Sequence, residues 1–209
     1  MWDDVMKGAQ SMASLSDLLM QQVASAAQQS GQPLPVDADQ GAAQNGLAAA
    51  IPLLMTALSR NASSPEGAES LYNAIEKDHD GSVVDNLPNY LSNPNLDDGA
   101  GILKHALGDN QSSVEQSMAK TTGLDMATIA KILQFAAPLV LGMLAKQKQQ
   151  KSLSSNDLSE MLQSEQQEVA ATNPDMMDMI GKYLDANKDG SFMDDLQGLA
   201  GKLFGKREA

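Results

Sequence analysis

Two short stretches hold the side chains best suited to chemistry, and both are acidic turns built around a glycine. Aligned on Gly190, the second offers Asp185, Asn187 and Asp189 before the turn, then Ser191 and Asp194 after it. The first offers Glu76, Asp78 and Asp80 before Gly81, then Ser82 and Asp85 in the same places. Alternating oxygen-bearing side chains ahead of a tight glycine turn let one segment supply several ligands to calcium, as in the first half of an EF-hand loop. Closure differs, because Leu196 stands where that loop carries its final Glu, leaving Asp194 to close a shortened version. The competing reading needs no metal. Gly81 and Gly190 end helices in the left-handed conformation, and Ser82 with Asp85, like Ser191 with Asp194, forms a capping box for the next helix. Only the upstream acids lack a role on that reading, since carboxylates in a last helical turn oppose the macrodipole.

Other chemistry is sparse. His79 and His105 are the only histidines, and neither has a neighbour in sequence suited to acid-base work. Gly99, Gly101 and Gly108 fall in DDGAGILKHALGD, but no strand precedes them and no Lys-Ser or Lys-Thr follows, so close helix contacts explain them better than a phosphate cradle. With no Cys there is no thiolate nucleophile and no Cys-ligated zinc. No catalytic residue and no resident cofactor is expected, calcium being the one possible exception.

The elements that position these loops read as helices. Apolar residues Val5, Met6, Ala9, Met12, Leu15, Leu18, Leu19, Val23 and Ala26 recur at steps of three and four, an amphipathic helix within residues 1–28. QSGQPLPVDADQ, with Gly31, Pro33 and Pro35, reads as a linker over residues 29–40. Residues 41–60 form a helix apolar on nearly every side, in which Pro52 kinks the axis or begins a new piece. Ser63 or Ser64 then caps a helix starting at Pro65, with Glu66 completing a box with Ser63. Ser112 with Glu115 opens a short helix, Gly123 and Asp125 a long one through Ile129, Ile132, Leu133, Leu139 and Leu144, and Ser154 with Asp157 the next. Met176, Met177 and Met179 make an adaptable apolar face on a helix begun by Pro174. The chain's last segment places Leu196, Leu199, Leu203 and Phe204 on one side with Lys202, Lys206 and Arg207 at its end.

The chain also resembles itself. IPLLMTALSRN from Ile51 recurs as APLVLGMLAKQ from Ala137, and EKDHDGSVVDNL from Glu76 recurs as DANKDGSFMDDL from Asp185. The expected fold is therefore all-α, one domain over residues 41–209 made of two helix-helix-acidic loop-helix halves at about 41–95 and 123–205, plus the N-terminal helix.

Bulk properties narrow the function. A formal charge of −13 opposes nucleic acid and anionic membranes, which need surplus Lys and Arg, and leaves a protein partner or a second copy of the chain as the expected associate. The N-terminus lacks a secretory signal pattern, and the apolar run from Ile129 to Ala145 is broken by Lys131, Gln134 and Pro138, so no spanning segment is expected and the protein reads as cytoplasmic. The segments RNASSPEGAESLYNAIEKDHDGSVVDNL, DDGAGILKHALGDNQSSVEQSMAKTTGLD and ILQFAAPLVLGMLAKQ closely resemble the YidB-like family of bacterial proteins of unknown function, over roughly Gly41 to the last residue. That resemblance implies an all-helical fold and brings no activity, substrate or catalytic residue. The function expected is a non-enzymatic interaction or self-association module. A calcium-binding module is the alternative, and an enzyme with a pocket assembled from distant acids comes third.

Overall fold

A computed structural model describes residues 14–184, which are helical throughout apart from turns and contain no strand. The second acidic loop, the first helix before Ser14 and the basic C-terminal segment lie outside the described residues.

In chain order the helices are α1 (Leu15–Ser30), α2 (Gln40–Asn61), α3 (Pro65–Lys77), the single-turn α4 (Ser82–Asp85), α5 (Leu87–Ser92) and α6 (Leu96–Leu107). A 3-10 turn leads on to α7 (Gln111–Thr122), α8 (Met126–Lys151), α9 (Ser155–Thr172) and α10 (Pro174–Leu184). Side-chain caps account for most of the starts. Amides of Asp17, Ala42, Gly67, Asp98 and Thr128 donate to Ser14, Asp39, Ser64, Asn95 and Asp125 respectively. At α9 the capping box is complete, Ser154 and Asp157 exchanging backbone and side-chain bonds.

Three local expectations need correction. Ser64, not Ser63, caps α3, which puts Gly67 in the third position and leaves Glu66 no box to close; the Ser63 hydroxyl instead donates to the Arg60 carbonyl at 2.7 Å. At α7 the helix starts at Gln111, and Glu115 accepts from the Gln111 carboxamide rather than boxing with Ser112. Ser82 and Asp85 form no box either, because Gly81 precedes α4 and the Asp85 carboxylate turns to Lys146.

The core is centred on α2 and α8, which pack against each other and are buried on nearly every side. Ile129, Ile132, Leu133, Leu139 and Leu144 are all buried there. Both helices run unbroken through their prolines, Pro52 and Pro138. By length and composition each could cross a membrane, contrary to the expectation for α8, but most of each is covered by the other helices. Pro138 lacks an N–H, so the Gln134 carbonyl one turn back loses its helical donor. Gly99 of α6 packs onto that point so closely that a Cβ there would lie 1.9 Å from the Gln134 oxygen. Helix α1 joins the same core through Leu19, Val23 and Ala26, and the turn after it buries Leu34.

Candidate functional site

The first acidic loop is held against the middle of α8. Helix α3 ends at Lys77, and the chain turns at Gly81, whose φ of 90° is one that side-chain-bearing residues avoid. A Cβ at Gly81 would also stand 3.1 Å from the Gly142 carbonyl oxygen, so the turn lies directly on α8. The loop glycine therefore serves a close approach between elements far apart in sequence, as well as a turn.

The oxygen side chains of this loop do not share one fate. Glu76 faces Lys148 at 3.5 Å, and that ammonium also sits 4.0 Å over the Tyr72 ring. Asp85 pairs with Lys146. Asp80 Oδ1 accepts from the Ser82 amide at 2.9 Å, and the Ser82 hydroxyl and amide hold its carboxyl below the ordinary aspartate range. Asp78 terminates α3 in an exposed position. Two cations from α8 thus offset the unfavourable charge at the C-terminal end of α3 and on α4. Among the described residues no group of three or more His, Asp or Glu is placed to hold a metal ion.

Above the loop, α5 and the start of α6 complete an open cleft of about 370 Å3. Asp78, Asp80 and Asp98 contribute carboxylates to its lining, and Asn86, Asn89 and Asn93 contribute carboxamides. Asn86 and Asn93 flank α5 and Asn89 lies within it, a grouping that sequence reasoning passed over because the residues are polar. His79 lies 3.9 Å from Asp98, with its side chain 12% exposed. The floor includes Pro138 and Tyr90; the Tyr90 hydroxyl donates to the Phe135 carbonyl at 3.0 Å, and its ring stacks on Phe135. Burial, aided by the Asp98 charge, pushes the Tyr90 phenol well above its ordinary value, so it stays protonated and committed to that bond. None of the lining residues is Lys or Arg. The glycines of α6 do not form a phosphate cradle, since Asp97 and Asp98 occupy its first turn and Gly99 is pressed on α8. His105 is exposed on α6 away from the cleft.

The chain is thus an all-helical, acidic body with an open polar cleft on its surface. The model of a family of bacterial proteins of unknown function, DUF937, matches residues 12–147, well over half of the chain, and the chain belongs to that family. The match reaches back across α1, takes in the acidic loop and the cleft, and stops inside α8, so it differs from the span expected from sequence. No curated protein and no solved structure matches.

Proposed function

We propose that this protein is a non-enzymatic, cytoplasmic interaction module that recognises a positively charged segment of a protein partner at the cleft formed by the Gly81 loop, α5 and α6. The observation that carries this reading is the lining itself: three aspartates and four asparagines with no Lys or Arg among them and His79 facing Asp98, on a chain of net charge −13. The methionine face of α10 is the weaker candidate, because Met176, Met177 and Met179 are packed against the core; the one large apolar residue exposed among the described ones is Met126. The phrases shared with the YidB-like proteins support a place beside them within the family, and the matching positions of Pro52 and Pro138 in α2 and α8 support descent by duplication.

Fluorescence anisotropy with labelled basic, neutral and acidic peptides of equal length tests the reading. Basic peptides should bind most tightly, and the double variant Asp78→Asn with Asp98→Asn should lose that preference. Equal binding of all three classes would refute it. Calcium is the competing reading. At the first loop it would have to displace Lys148 from Glu76 and Lys146 from Asp85. A calcium-dependent rise in Tm that Asp80→Ala and Asp189→Ala together abolish would favour it.

A further inference from the structure

Three pairs of Asn or Asp followed by Gly lie among the described residues: Asn45–Gly46, Asp80–Gly81 and Asp98–Gly99. We infer that Asp80 is a modification site, the position at which the folded chain converts to isoaspartate. The reaction is intramolecular. The Gly81 nitrogen attacks the Asp80 Cγ, the hydroxyl of the protonated carboxyl leaves with the amide hydrogen as water, and a five-membered succinimide forms. Water then opens the ring. Attack at Cγ restores aspartate, whereas attack at the former main-chain carbonyl gives isoaspartate, whose backbone runs through the side-chain carbons and whose α-carboxylate is free.

Side-chain chemistry alone ranks the pairs differently, because at neutral pH a carboxamide is a better electrophile than an ionised carboxylate. Folding reverses that order. Ring closure needs Cβ and the next nitrogen nearly eclipsed, which a helical ψ of about −42° does not allow. Asn45 is exposed, yet it lies inside α2, and Gly46 behind it is buried against Ile132 of α8. Asp98 lies in the first turn of α6, where the Gly99 amide donates to the Asn95 carbonyl and Gly99 is pressed on α8. Asp80 is exposed and belongs to no helix, and the Gly81 amide donates to no acceptor among the described residues. The Asp80 carboxylate is folded over that peptide, since its Oδ1 accepts from the amide of Ser82, two residues on. Ser82 keeps the carboxyl ionised, Lys146 adds to the effect, and Asp78 and His79 precede it, so closure draws on a small protonated fraction and is slow. Conversion also disturbs the fold. The Asp80 carbonyl that accepts from the Gln149 carboxamide at 2.8 Å becomes the free carboxylate, and a methylene enters the main chain beside Gly81, which already lies directly on α8.

Prolonged incubation of the full chain at neutral pH, folded in buffer and unfolded in urea, tests the inference. Isoaspartate is located by peptide mapping with electron-transfer fragmentation and by labelling with an isoaspartyl carboxyl methyltransferase. The label is read peptide by peptide, because Asp189–Gly190 lies outside the described residues. In the folded chain, isoaspartate at Asp80 should exceed that at Asn45 and at Asp98 at least tenfold. In urea the order should invert, with Asn45 converting first. Asp80→Glu, whose ring would need six members, should remove the label from its peptide in the folded chain, and Asp98→Glu should leave that label unchanged. Isoaspartate that appears first at Asn45 or Asp98 in the folded chain would overturn the inference. So would none at Asp80 once Asn45 has converted in urea.

Discussion

Glu165 is 5% exposed, and its carboxylate accepts from the Leu15 amide at 3.0 Å, the Ser16 amide at 2.9 Å and the Ser16 hydroxyl at 3.1 Å. Those amides open α1, so a residue of α9 satisfies the first donors of a helix 150 positions earlier in the chain. Glu165→Gln replaces one acceptor oxygen with a carboxamide NH2 facing N–H donors. It should cost on the order of 1–3 kcal/mol in urea unfolding and make α1 the first site of proteolytic cutting. Nothing in sequence singles out Glu165 among the four acids of α9, because its partner is set only by packing. At Gly81 the cost has another origin. An alanine there is strained by the positive φ, by about 1–2 kcal/mol, and meets the Gly142 carbonyl, so Gly81→Ala should lower Tm while Gly101→Ala, with open space around it, should not.

Among the helices, starts were legible where one side chain caps and obscure where two were available. Asp125 and Ser154 could be read directly, whereas Ser63 and Ser64 differ by a single register that only the course of the chain decides. Asp157 shows what a complete cap does to titration. The Ser154 hydroxyl and amide hold the Asp157 carboxyl below its ordinary value in the folded chain, so near pH 4 the unfolded chain binds more protons there. Its stabilising effect is full above the ordinary aspartate range and is lost as pH falls through the lowered value. Asp157→Asn should therefore flatten the acid side of a stability-against-pH curve without altering its neutral plateau's independence of pH. Close helix contacts were expected of Gly99, Gly101 and Gly108 as a group, but not which of them makes one: a Cβ at Gly99 would lie 1.9 Å from the Gln134 oxygen of α8, whereas Gly101 and Gly108 have open space. Gly99→Ala must push the two helices apart, and a loss of about 1–3 kcal/mol in chemical unfolding is expected.

For the whole molecule, the all-α class followed from apolar residues at helical spacing, and the buried positions of α2 and α8 follow from helices apolar on every side. The cleft did not follow. Its carboxylates stand at residues 78, 80 and 98, its floor includes Pro138, and the lysines that take up Glu76 and Asp85 come from the far end of α8. Sequence showed a cluster of acids open to two readings, a plain helix connection or a calcium loop; folding divides that cluster between α8 and an open surface. At a net charge of −13, attraction for any cation will be partly diffuse, and salt will weaken it. Location therefore tests the cleft better than affinity does. Nuclear magnetic resonance of the 15N-labelled chain, titrated with a lysine-rich peptide, reads the side-chain amides of Asn86, Asn89, Asn93 and Asn95 individually. Recognition at the cleft requires these signals to shift together and to saturate, with the exposed carboxamides elsewhere unmoved. Shifts scattered over the acidic surface, or confined to positions outside the cleft, would contradict it.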